Sequence, residues 1–203
     1  MAGSAICFQK SCGFDEFEDV FLNPVPFQKK VQWLLLSGAT DPPNNVQISN
    51  RKSRDRGSFL EGITSDFLNM ERLPVVKKGL YNSVRNMKMT KNMALAEIKD
   101  FIRHCLLTNT MPVIYYTGHG ESGTGNWCFI DDVISVEELN LAFDCQMIHR
   151  TPYFIISDCC YSGHWANYFM EIENPSSRMF GKCLAASPEF SPAFDSGKDG
   201  FYL

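Results

Sequence analysis

The chain has 203 residues, of which 44% are hydrophobic and 13% aromatic, enough to bury one sizeable core; a domain of this size hides roughly 70% of the surface its unfolded chain exposes. That composition excludes disordered and collagen-like classes. Nineteen basic against twenty-three acidic residues give a net charge of −4, which speaks against a general phosphate-binding surface and against nucleic acid as the partner.

Residues 1–30 mix Phe14, Phe17 and Phe21 with Asp15, Glu16, Glu18 and Asp19, followed by Pro24 and Pro26. They read as a lead-in or pro-segment, a short helix or extended stretch laid on a body of residues 31–203. The opening residues lack a basic start followed by a long apolar run, so neither a signal peptide nor a membrane partner is expected. The expected compartment is therefore the cytoplasm, where thiols stay reduced and the eight cysteines are free rather than a disulfide framework. No Cys-x-x-Cys pair occurs, and the adjacent Cys159 and Cys160 are poorly arranged to share one ion, so no structural metal is expected.

Val31–Leu36 is a short apolar run closed by Ser37-Gly38, the pattern of a buried strand. A loop follows at Asp41–Asn45, and Arg51, Lys52, Arg54 and Arg56 read as a solvated basic loop. Leu60, Ile63, Phe67, Met70 and Leu73 recur at helical spacing up to Pro74. Thr90 is placed to cap a second helix whose apolar face carries Leu95, Ile98, Phe101, Ile102, Cys105 and Leu106. Val113–Tyr116 reads as a buried strand running into Gly118-His119-Gly120. A hairpin is expected from Trp127–Ile130 through Asp131-Asp132 to Val133-Ile134, then a capping box, Ser135-Val-Glu-Glu138, opening a helix through Leu139 and Phe143. Tyr153–Ile156 is a further strand ending at Asp158-Cys159-Cys160. Strands alternating with helices give an α/β class with a central, mainly parallel sheet flanked by helices.

Two strand ends carry reactive side chains. One presents His119 between glycines, the other Asp158, Cys159 and Cys160 before Ser162-Gly163. Each alone has a plain explanation, as a turn or a small buried hydrophobe. Together they match what a cysteine nucleophile needs: an imidazole to take the thiol proton and glycines that let main-chain N–H groups face a developing oxyanion. Gly118-His-Gly120-Glu-Ser-Gly123 also fits the dinucleotide-binding pattern, but that pattern requires a helix next, and Thr124–Ile130 is strand-like.

Tyr115-Tyr-Thr-Gly-His119-Gly120 together with Ser157-Asp158-Cys-Cys160-Tyr-Ser162-Gly163 resembles the caspase-like cysteine peptidases, closest to the metacaspases. The resemblance implies a caspase-like sandwich and hydrolysis of peptide bonds in protein or peptide substrates. It implies Cys160 as nucleophile, His119 as general base, the N–H groups of Gly120 and Cys160 as oxyanion hole, and Cys159 as a bystander. Asp158 resembles an S1 carboxylate selecting Arg or Lys at P1. Asp66, in Leu60-Glu-Gly62-Ile63-Thr-Ser-Asp66, resembles a second, with Ile63 replacing the family's cysteine; its plain alternative is an exposed helix aspartate. No cofactor is expected. The family's calcium acids are not matched at Ser135-Val136-Glu137 or His164–Tyr168, and Asp131 and Asp132 are explained more simply by a turn than by an ion. Asp199–Leu203 resembles the start of the family's final helix, which the sequence lacks; either that loss weakens the substrate pocket or a partner chain or second copy supplies the part. The alternative to an active peptidase is an inactive caspase-like scaffold or decoy for an active relative.

Overall fold

A computed structural model describes residues 6–7, 30–39, 56–146, 152–172 and 181–193. The acidic and aromatic stretch of the lead-in, the 41–45 loop, the basic positions 51, 52 and 54, and Asp199–Leu203 lie outside the described residues.

The strands are β1 (Ile6–Cys7), β2 (Val31–Ser37), β3 (Leu80–Val84), β4 (Met111–Thr117), β5 (Trp127–Cys128), β6 (Val133–Ile134), β7 (Tyr153–Asp158) and β8 (Gly181–Ala185). The helices are α1 (Arg56–Arg72), α2 (Pro74–Gly79), α3 (Lys91–Thr108), α4 (Val136–Gln146) and α5 (Gly163–Ile172). Six strands form one sheet in the order β3-β2-β4-β7-β8-β1, and every pairing in it is parallel. The molecule is thus α/β with a parallel central sheet flanked by helices.

Period-two alternation along the strands decides what each face of the sheet buries. Leu34 and Leu36 of β2, Ile114 and Tyr116 of β4, and Ile155 of β7 pack with α3, α4 and α5 through Ile98, Phe101, Leu139, Phe143, Trp165 and Phe169. Trp33 and Leu35, Val113 and Tyr115, and Ile156 pack on the other face with Ile63, Phe67 and Met70 of α1 and Val76 of α2. Each such side chain, fully buried, contributes about 1.5–3 kcal/mol.

Local signals hold where hydrogen bonds can be named. Thr90 Oγ1 accepts from Met93 N at 3.2 Å, capping α3. Ser135 and Glu138 form the reciprocal box, with Ser135 N donating to Glu138 Oε2 at 3.1 Å and Glu138 N to Ser135 Oγ at 3.3 Å. Pro74 ends α1 as expected but also opens α2, where its missing N–H costs nothing at the first helical turn. The 118–123 glycine run leads into a turn and β5 rather than a helix, so the geometry a dinucleotide would need is not formed. Asp131 and Asp132 serve the hairpin turn: Asp131 Oδ1 accepts from Lys91 N at 2.7 Å, and Asp132 pairs with the Lys91 ammonium at 3.1 Å.

The chain order reverses between β2 and β4, with β3 on one side and β7 and β8 on the other. In open parallel sheets, a crevice outside the carboxyl ends of the strands opens at such a switch point.

Candidate active site

Three carboxyl ends are stitched together at that point. Gly38 N, just past β2, donates to Thr117 O at 2.9 Å, and Gly118 N, just past β4, donates to Asp158 O at 3.3 Å. Thr117 and Asp158 are register partners, so the loops bearing His119 and Cys160 leave the sheet side by side.

His119 is half-buried, and its carbonyl accepts from Cys128 N at 3.2 Å. Gly120 then meets the other loop directly. A β-carbon there would collide with the Cys160 carbonyl oxygen and lie 3.0 Å from Cys159 Sγ, so glycine is what allows the approach.

The two adjacent cysteines go separate ways. Cys159 is fully buried among the aromatic side chains, 3.4 Å from Ser157 Oγ, and burial pushes its thiol well above the ordinary range. An inert, neutral thiol is the result. Cys160 is 5% exposed and its thiol donates to the carbonyl of Ala193 at 3.9 Å. Tyr161 turns the chain with φ of +60°, a left-handed conformation that costs a non-glycine residue about 1–2 kcal/mol. The turn delivers the chain into α5, whose N-terminus favours negative charge on a group held near it.

Asp66 and Asp158 are both buried, at 4% and 1% exposure, so Asp66 is not an exposed helix aspartate. Thr117 Oγ1 donates to Asp66 Oδ2 at 2.9 Å, and the Tyr115 hydroxyl donates to Asp158 Oδ2 at 2.8 Å. Burial first, then the negative charges of Asp158 and Asp66, holds the Tyr115 phenol well above its usual range. One neutral phenol therefore lies in the field of both carboxylates. The carboxylates come from α1 and β7, and each is held by a hydroxyl of β4 at the end where His119 and Cys160 emerge.

Sequence reading missed the hydroxyls that brace these loops. Ser162 and Ser187 exchange hydrogen bonds, Ser187 N to Ser162 Oγ at 3.1 Å and Ser162 N to Ser187 Oγ at 3.2 Å, while Ser187 Oγ donates to Cys159 O at 3.1 Å. These tie the Cys160 turn to the end of β8. The serine following the apolar β8 run was the available signal. Beyond it, Ser187–Ala193 lies over the turn, with Tyr161 N donating to Ser191 O at 3.1 Å.

Among the described residues no three His, Cys, Asp or Glu side chains gather as an ion site, and no helix is long and apolar enough to cross a membrane. Cys105, Cys128, Cys159, Cys160 and Cys183 are buried thiols. No protein-family model and no curated protein matches the chain.

Proposed function

We propose that this chain is a cysteine endopeptidase of the caspase-like fold that cleaves after Arg or Lys. The observation that carries the proposal is the pair of buried carboxylates, Asp66 and Asp158, held by hydroxyls beside the loops of His119 and Cys160. Buried carboxylates are costly, and a guanidinium or ammonium entering between them would find both charge and acceptor oxygens.

His119 takes the Cys160 proton, and the thiolate attacks the scissile carbonyl carbon, forming a C–S bond. The N–H groups of Gly120 and Cys160 hold the resulting oxyanion. Collapse breaks the C–N bond, and the amine departs with the proton from His119. Water, deprotonated by His119, then attacks the thioester and releases the acid and the Cys160 thiol.

The inactive-scaffold alternative draws on one observation, the seating of Cys160 beneath Ala193. A fluorogenic peptide panel with Arg, Lys, Asp or Ala at P1, read with and without calcium, separates the two. Cleavage after Arg and Lys is expected, with Cys160→Ala losing at least about 1,000-fold and Cys159→Ala keeping most activity. Equal activity in the two variants overturns the assignment of the nucleophile. No cleavage, together with no labelling of Cys160 by a basic-P1 thiol-reactive peptide, overturns the peptidase reading.

A further inference from the structure

Tyr116 stands three residues before His119, fully buried on the face of β4 opposite to Tyr115. Its hydroxyl lies 2.8 Å from the His119 carbonyl and 3.2 Å from that of Cys128, and it accepts from Cys128 N at 3.0 Å. A phenol has one proton to give, and the shorter contact is to His119. Burial above all pushes the Tyr116 phenol well above its usual range, so the hydroxyl keeps its proton. Two glycines make room for it: a β-carbon at Gly38 would collide with the hydroxyl oxygen, and one at Gly118 would lie 2.7 Å away.

The ring is fixed as firmly as the hydroxyl. Tyr116 stacks on Trp127 at 4.6 Å and 6°, and Trp127 stacks on Trp165 at 4.4 Å and 9°. Trp127 Nε1 donates to Ser157 Oγ and Trp165 Nε1 to Gly125 O, each at 2.8 Å. Trp165 belongs to α5, the helix that follows the Cys160 turn. The column thus joins the His119 loop, the β5 hairpin and the helix behind Cys160 through aromatic planes and two indole hydrogen bonds.

We propose that Tyr116 is the positioning residue that sets His119 against Cys160 through its hydroxyl, which anchors the His119 main chain. The proposal rests on the reading of His119 and Cys160 as a dyad. Tyr116→Phe is the sharp variant, because it keeps the stacked ring and deletes the anchor.

The readout is the pH dependence of iodoacetamide alkylation of the Cys160-containing peptide, followed by mass spectrometry in the full chain. Wild type, His119→Ala, Tyr116→Phe and Trp127→Phe are compared. An imidazole partner keeps Cys160 reactive at mildly acidic pH, so His119→Ala is expected to move the profile to higher pH. Tyr116→Phe is expected to move it the same way, with the rate at pH 6 reduced about tenfold by a displaced imidazole. Trp127→Phe, which weakens packing but spares the anchor, is expected to lower the melting temperature with the profile in place.

A His119→Ala profile superimposed on wild type overturns the dyad, and this proposal with it. A shifted His119→Ala profile with Tyr116→Phe superimposed on wild type overturns the role of Tyr116 alone. A Trp127→Phe shift as large as that of Tyr116→Phe assigns the effect to general packing and equally overturns it. If Tyr116→Phe does not fold, Gly38→Ala displaces the hydroxyl without deleting it. The same shift is expected there, and its absence counts against the anchor.

Discussion

Tyr115 and Tyr116 are neighbours in one strand with the same side chain, yet they are put to opposite uses. Alternation turns Tyr115 toward α1, where its hydroxyl meets a carboxylate, and Tyr116 toward α3 and α5, where its hydroxyl meets the main chain beside a histidine. One face of the sheet therefore gathers charge and the other gathers aromatic stacking, and the two come together at the carboxyl end of β4. On the proposed reading, the first face chooses the substrate and the second aligns the chemistry.

That division can be broken from the charged face first, where the largest effect is expected. Asp158→Ala or Asp66→Ala takes away one acceptor for a basic P1 side chain. Each is expected to lower kcat/KM for Arg substrates by about 100-fold, the scale of losing one partner of a buried charge pair. The alkylation profile of Cys160 is expected to stay where it is, because the Tyr116 face is untouched. The P1 panel and the alkylation assay together check this. An unchanged P1 profile in both variants removes the specificity assignment.

The junction of the two faces is the next place to press. At Gly120 a methyl group would run into the Cys160 carbonyl oxygen and crowd Cys159 Sγ. Overpacking of this kind costs about 1–3 kcal/mol, so Gly120→Ala is expected to unfold at lower denaturant concentration than wild type. Turnover should fall with every P1 residue alike, because the His119 and Cys160 loops are forced apart without any change at the carboxylates. Chemical denaturation alongside the P1 panel measures both. A loss confined to basic P1 residues would count against the division between faces.

How much of this the sequence disclosed follows from what each feature depends on. Strands β2, β4 and β7 were legible because each is buried on both faces and reads as an apolar run. Their polar last residues, Ser37, Thr117, Ser157 and Asp158, extended past those runs because the ladder continues where the site begins. Strand β3 was not legible: Leu80-Tyr-Asn-Ser-Val84 lies at the sheet edge, half-exposed, with little apolar signal. The α5 helix was also missed, since it opens on glycine and carries its apolar side as Trp165, Ala166 and Phe169. The positions of His119, Asp158 and Cys160 at one end of the sheet could be anticipated from strand ends, whereas that of Asp66 came only from the family resemblance. The opposed uses of Tyr115 and Tyr116 could not, because they depend on which face each residue takes. The Ser162–Ser187 brace likewise depends on the pairing of β7 with β8.

The smallest expected effect concerns the segment that covers the place where the two faces meet. Ser187–Ala193 is held over the Cys160 turn by Glu189, whose carboxylate pairs with His164 Nδ1 at 3.1 Å and accepts from Asn167 Nδ2 at 2.6 Å. His164 and Asn167 both belong to α5, so the helix behind Cys160 also holds down the segment whose Ala193 carbonyl takes the Cys160 thiol hydrogen. Glu189→Gln removes the charge but leaves an acceptor for Asn167. A partly exposed pair of this kind is worth about 0.2–1 kcal/mol, so alkylation of Cys160 at fixed pH is expected to quicken by up to about fivefold. Equal rates for wild type and Glu189→Gln would show that the cover is kept by the main-chain bond from Tyr161 to Ser191. Access to Cys160 would then be independent of the His164–Glu189 pair.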